Sequence, residues 1–339
     1  MHTEDAPTWA ALGVALEEAG RHEEALDAFD KAIENDERDA YVHYNKGITL
    51  SNLGRYLEAL DAYNRAIEIA PQSIKAWCNK GFALESLGRH EAALEAYNQA
   101  IKIDGQDASV WYNKGVAFGN LGRLNEALEA YDQAVKIAPQ SAQFWNNRGT
   151  LLGQLRRGQD ALASYDRATE ADPQYAPAWY NKAVVLQKLA RHEEALNACS
   201  MVTRIDPEDF QGWQIEGTLL CQLGRHEEAL NAFDKATNII PEFAQAWYSK
   251  GTALTSLGKH EESLVAYDQA TELAPHFAQF WNDKGIALIQ LGRFEEALLA
   301  FDQAMAVDNE YAQAKSNKQA ILALLGIGEK PPSRRHEPE

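Results

Sequence analysis

Five histidines share one phrase. His22, His90, His192, His226 and His260 each follow an arginine or lysine and precede a glutamate. Imidazole beside carboxylate is the raw material of metal binding and of general acid–base work, so these residues come first. Their spacing excludes a shared metal. They recur at one fixed interval or at multiples of it. Equivalent positions lie two helices apart, with about 8–10 Å between packed helices, whereas zinc needs every nitrogen near about 2.1 Å. No H-E-x-x-H, G-x-S-x-G, phosphate loop or strand-linked G-x-G-x-x-G occurs in the chain. The three cysteines, Cys78, Cys199 and Cys221, have neither metal spacing nor the look of a disulfide framework. Cys78 reads as a small apolar residue with no base beside it. The sequence therefore predicts no catalytic, metal or cofactor site, and no enzyme.

A second series has different chemistry. Asn45, Asn79, Asn113, Asn147 and Asn181 stand at the same interval, beside Tyr44, Tyr112, Asn146, Tyr180 and, further on, Tyr248. An amide donates and accepts, so it can pair with a peptide backbone of any sequence. Tyrosine adds rigid, amphipathic contact area at low entropy cost.

Both series belong to one repeat. Starts fall at Ala6, Ala40, Ile74, Ala108, Ala142, Ala176, Phe210, Ala244 and Ala278, and the ninth unit ends at Tyr311 with no insertion or deletion. In nearly all units position 4 is tryptophan and position 8 glycine, position 11 is apolar, and position 15 is usually glycine. Position 20 is alanine except for Ser263, position 24 is mostly tyrosine or phenylalanine, position 27 mostly alanine, and position 32 often proline. All eight tryptophans sit at position 4, and the second unit has His43 there. The spacing predicts helix A over positions 2–14, a break at position 15, and helix B over 18–31. Positions 4, 8 and 11 and positions 20, 24 and 27 are expected to be pure core. The small residues at 8 and 20 let the two helices approach.

A fixed period of about 34 residues in this letter series resembles the tetratricopeptide repeat (TPR) family over about nine-tenths of the chain. That resemblance implies an all-α solenoid, a right-handed superhelix of antiparallel helix pairs whose A helices line a concave groove. It assigns residues 1–5 to a lead in which Asp5 caps the first helix, and 6–311 to the repeats. It assigns 312–328 to a capping helix, with Lys315 in place of the tryptophan, and 329–339 to a disordered tail. The asparagine series looks like the ladder of O-linked N-acetylglucosamine transferases, which holds substrate backbone. The alternative for those amides is to bridge neighbouring helices. The carboxylate clamp of chaperone-binding TPR proteins is not matched, since no unit has lysine at position 5 or asparagine at position 9. Repeats 5 to 7 depart from the pattern at Arg156, Gly158, Ala183, Ala190, Cys199, Val202, Ile215 and Glu216, which reads as neutral drift, the alternative being a local change in curvature near residues 156–220.

Charge completes the expectation. The net charge of -18 excludes nucleic acid, whose binding needs phosphates neutralised by Lys and Arg. Positions 1–15 hold five acids against ten bases, so the A helices carry +5 and the remainder -23. A neutral to mildly positive groove would suit a neutral to acidic extended partner; alternatively the position-7 bases pack their stems on the tryptophans. No secretory leader and no membrane-length apolar run is present, so a cytoplasmic monomer or weak self-associator is expected. The leading function is a peptide-holding interaction scaffold. The alternatives are the targeting subunit of a glycosyltransferase-type or other enzyme complex, and a self-assembling structural solenoid.

Overall fold

A computed structural model describes residues 6–326. The Asp5 cap, the tail at 329–339 and the end of the 312–328 segment lie outside the described residues. These residues form nineteen α-helices and no strand. In chain order they are α1 (Ala6–Glu18), α2 (His22–Asn35), α3 (Ala40–Asn52), α4 (Tyr56–Ile69), α5 (Ile74–Ser86), α6 (His90–Ile103), α7 (Ala108–Asn120), α8 (Leu124–Ile137), α9 (Ala142–Gln154), α10 (Gly158–Ala171), α11 (Ala176–Lys188), α12 (His192–Ile205), α13 (Phe210–Gln222), α14 (His226–Ile239), α15 (Ala244–Ser256), α16 (His260–Leu273), α17 (Ala278–Gln290), α18 (Phe294–Val307) and α19 (Ala312–Leu324). Odd numbers are A helices and even numbers B helices. The chain divides into two compact units, Met1–Ala178 and Trp179–Glu339. Each is an all-α solenoid of stacked helix pairs.

Both helices start one residue earlier than the hydrophobic spacing predicts. In α3, α5, α7, α9 and α13 that earlier start of helix A is capped by the side chain at position 34 of the preceding repeat. The carboxylate of Asp39 accepts from the Tyr41 and Val42 amides. Asp107 and Asp209 accept from Ser109 and Gln211, and the hydroxyls of Ser73 and Ser141 accept from Ala76 and Phe144. Each satisfies orphan N–H groups of a first turn. The break between helices is left-handed: Gly54 has φ 74°, the conformation that costs glycine least. Repeats 5 and 6 make the same turn with Arg156 (φ 59°) and Ala190 (φ 56°).

The core is a layer of small and large residues in strict partnership. The alanines at positions 20 and 27 are fully buried almost throughout, beside rings such as Phe29, Tyr97 and Phe301. Burying one such ring stabilises by about 1.5–3 kcal/mol. The stripe on helix A differs from the expectation. Positions 3, 10 and 11, such as Ala76, Ala83 and Leu84, are buried, whereas the position-4 tryptophans are only half-buried at the edge of the core. Their rings flank the loop instead. The Trp77 indole N–H donates to the Pro71 carbonyl at 3.0 Å, and Trp111, Trp145, Trp213, Trp247 and Trp281 repeat that bond at 2.8–3.0 Å. His43 is the same device in the second repeat: its Nε2 donates to the Glu37 carbonyl at 3.0 Å.

Three of the departures in repeats 6 and 7 are matched by a second change at the residue they meet. Ala183 (0 % exposed) brings a methyl where the other repeats have glycine, and Cys199 (1 % exposed) withdraws the ring that would strike it. Val202 replaces an alanine, and Gly212 removes the side chain that would crowd it; a Cβ there would sit 3.1 Å from Val202 Cγ1. Glu216 replaces the position-7 base where Ser200 replaces its acidic partner. Its carboxylate accepts from Ser200 at 3.2 Å and Thr203 at 2.9 Å.

Candidate functional site

The A-helix face opposite the core presents positions 2, 5, 6, 9, 12 and 13. The structure links these positions between repeats in two rows. In the first, position 6 meets position 5 of the preceding repeat. Within the first unit, Asn79 Nδ2 donates to the Tyr44 hydroxyl at 3.3 Å, Asn113 Nδ2 to Cys78 Sγ at 3.6 Å, and Asn147 Nδ2 to the Tyr112 hydroxyl at 2.5 Å. Asn45 has no such neighbour and donates to its own helix at the Tyr41 carbonyl. In the second unit, Gln214 donates to Ser249 at 3.0 Å, Tyr248 to Asp283 at 2.6 Å, and Asn317 to Asn282 at 3.0 Å. The second row joins positions 12 and 13. Asn52 donates to Glu17 at 2.7 Å, Asn120 to Glu85 at 2.9 Å, and Gln187 to Gln222 at 3.3 Å. Glu17 and Glu85 also take the Nδ1 of His22 and His90, each at 2.9 Å. Burial pushes Glu17 up, but the bonds from His22, Thr49 and Asn52 outweigh it and hold the carboxyl below its ordinary value.

Bridging therefore uses one N–H of the asparagines of the first unit from Asn79 on. It leaves the carbonyl oxygens of Asn79 and Asn113 without a hydrogen bond among the described residues. Both side chains are half-buried, as are Tyr44, Tyr112, Tyr180, Asn181 and Tyr248. Asn146 is not on the open face: it is 5 % exposed and donates to Asn147 Oδ1 at 3.4 Å. Two aromatic residues do stand out from this face, Tyr41 at 57 % and Phe82 at 50 % exposure. Position 9 contained Phe82 in plain view. The link from position 5 of one repeat to position 6 of the next was visible only as two separate series.

The position-7 bases do not line this face, which corrects the expected charge. They turn toward the preceding B helix. Arg148, Lys250 and Lys284 pair with Asp132, Asp234 and Asp268 at 2.6–2.7 Å, and Lys46 and Lys318 pair with Asp30 and Asp302. Lys80, Lys114, Lys182, Lys250 and Lys284 stand 4.9–5.1 Å above their own tryptophan rings. Burial lowers Lys80 and Lys114 from the ordinary lysine value. Cavities also open on this side; one of about 280 Å³ is floored by Trp281, Lys284 and Leu288 and walled by Glu296 and Leu299.

Reactive chemistry is weak everywhere on the described residues. Burial pushes the Cys78 thiol up to about 11 and raises Cys199 and Cys221 as well, so each stays protonated near neutral pH. No group of three His, Cys, Asp or Glu among the described residues could hold a metal ion. No described helix is long and apolar enough to cross a membrane.

Comparison with known proteins addresses the architecture. Profiles described as Tetratricopeptide repeat match residues 10–74 and 146–210, 62–95, 108–141 and 244–277, 211–243, and 278–311. One described as TPR repeat matches 83–122. No curated protein matches the chain. Among solved structures, YrrB, described as a TPR protein with an unusual peptide-binding site, is 25 % identical with a TM-score of 0.52, covering 57 % of this chain and 99 % of its own. A tetratricopeptide repeat protein from Parabacteroides merdae is 17 % identical with a TM-score of 0.51, covering 74 % of this chain and 99 % of its own. PilF of Pseudomonas aeruginosa is 18 % identical with a TM-score of 0.52, covering 60 % and 92 %. The recurring helix pair, the glycine–ring core and the profiles that match most of the chain between residues 10 and 311 agree, and the chain belongs to the tetratricopeptide repeat family.

Proposed function

We propose that this chain is a non-enzymatic interaction scaffold that holds an extended segment of a partner protein along its A-helix face. The observation that carries this reading is the unused bonding capacity of Asn79 and Asn113, one repeat apart, with the exposed ring of Phe82 between them. Each amide is held in place by a neighbouring repeat while its carbonyl oxygen makes no hydrogen bond among the described residues. A peptide N–H arriving there meets a preorganised acceptor, which lowers the entropy cost of binding. The peptide-binding site named for YrrB, a relative in fold, supports the same use of the scaffold. The partner is neutral or carries positive charge, because the bases expected in the groove are paired on the other side. Three free cysteines fit a reducing compartment such as the cytoplasm.

The test is titration of peptides selected on the full chain from a displayed random library. Asn79→Ala with Asn113→Ala should weaken them by about 1–3 kcal/mol, given about 0.5–1.5 per net hydrogen bond. Glu126→Gln with Glu129→Gln, on the B helix α8, should leave binding unchanged, with circular dichroism confirming both folds. Normal binding by the asparagine variant, with loss in the α8 variant, would place the partner on the outer surface.

A further inference from the structure

The A-helix face carries two copies of one arrangement, four repeats apart and one in each unit. In the first, Tyr112 stacks on Phe144 with ring centroids at 4.8 Å and its hydroxyl meets Gln143 at 3.4 Å and Asn147 at 2.5 Å. In the second, Tyr248 stacks on Phe280 at 4.5 Å and meets Gln279 at 2.6 Å and Asp283 at 2.6 Å. The frameworks match residue for residue except at one place: the amide of Asn147 is a carboxylate in Asp283.

That carboxylate has an unusual setting. Its two oxygens accept from the Tyr248 hydroxyl and, at 2.8 Å, from Asn282 Nδ2. Asn282 is itself 3 % exposed and fixed by Asn317, so the donors are locked in place. Burial, reinforced by the bond to Asp283, holds the Tyr248 hydroxyl above its ordinary value, so it remains a donor. No cation among the described residues pairs with Asp283. Lys284, next in sequence, is drawn off to Asp268 at 2.7 Å. From α13 to α19, Asp283 is the sole charged residue at positions 2, 5, 6, 9, 12 and 13. A half-buried charge without a counter-ion is costly unless something supplies one.

We propose that Asp283 is the selective subsite of the second unit's A-helix face, taking a lysine or arginine side chain of an extended partner segment held there while the ring of Tyr248 receives its aliphatic stem. The Tyr112 copy, with Asn147 in the same place, takes a neutral group. This assignment rests on the groove reading above and adds the side-chain class to it.

The experiment uses the full chain and peptides selected on it from a displayed random library, resynthesised with each lysine and arginine replaced in turn by glutamine. In every peptide one replacement should cost wild type roughly fivefold in affinity, as a partly screened ion pair does. The same replacement should cost Asp283→Asn less than about twofold, and raised salt should erase the difference in wild type alone. Asp283→Asn copies the first arrangement, so its fold should persist, which far-UV circular dichroism checks. Asp283→Lys should instead favour peptides with glutamate at that place. Peptides that bind the full chain yet lose equally on wild type and Asp283→Asn would overturn this assignment alone. A library that yields no binder would overturn the groove reading, and this one with it.

Discussion

A Cβ placed on Gly81 would lie 2.4 Å from Cε1 of Tyr97, closer than any real Cβ contact. Glycine at position 8 and the ring at position 24 are therefore one feature written at two places, one on each helix of a pair. The repeat that lacks the ring, with Cys199, is also the repeat that lacks the glycine, with Ala183. Cys199→Tyr should accordingly destabilise by about 1–3 kcal/mol through overpacking. Adding Ala183→Gly should recover most of that loss. Denaturant melts of the two single variants and the double variant close the cycle; simple additivity would show that the two sites are independent.

The left-handed turns of Arg156 and Ala190 hold L-residues where most other repeats have glycine. A non-glycine residue loses about 1–2 kcal/mol in that conformation. Ala190→Gly should raise stability by about 0.5–1 kcal/mol, after the added entropy of the unfolded chain is subtracted. Thermal melting checks it, and a lower midpoint would mean that the alanine has a packing role.

His192, His226 and His260 bury an Nδ1 with no hydrogen-bond partner, whereas His22 and His90 give theirs to Glu17 and Glu85. Position 12 makes the difference. Cys221→Glu should supply the missing carboxylate to His226 and stabilise by about 1 kcal/mol. The reverse change, Glu85→Ala, should strand both His90 and Asn120. Chemical denaturation of each variant measures the effect, and the two shifts should have opposite signs.

Burial raises Glu216 above the ordinary carboxyl value, against the opposing bonds from Thr203 and Ser200. A raised acid favours the folded state when protonated. Its contribution is fully present below the unfolded value of about 4.3 and is lost as pH rises through the folded value. Glu216→Gln should therefore be at least as stable as wild type at pH 7, with the advantage shrinking as pH falls toward about 4.3. Melts across that range read the trend; an advantage that grows on acidification would contradict it.

The period and the helix pairs were legible because each recurs with a single chemical identity, whereas the glycine at position 8 and the ring at position 24 stood as two separate series until the structure brought them together. The caps at position 34 were not legible, because aspartate and serine share the task while Phe243 and Phe277 occupy the place without a side-chain bond. The position-7 bases follow the alternative reading, with their stems on the tryptophans; the aspartate of the preceding B helix on which one such charge ends was not visible along a single helix. At the candidate site, Tyr112 and Asn147 each stood out, but periodicity along one helix does not show that they bond to each other across repeats. Asn146 followed the open-face spacing and is nonetheless buried, its amide turned to Asn147 Oδ1.

The indole bond to the carbonyl six residues earlier has a consequence for the length of the loops between repeats. Each ring acts as a caliper across the loop between repeats: one residue more or fewer would carry the carbonyl out of its jaws and strand an N–H at the edge of the core. His43, shorter yet with its Nε2 at the same reach, satisfies the same gauge. A change of loop length is thus penalised at each junction that carries the bond, because it would leave a ring N–H without its acceptor.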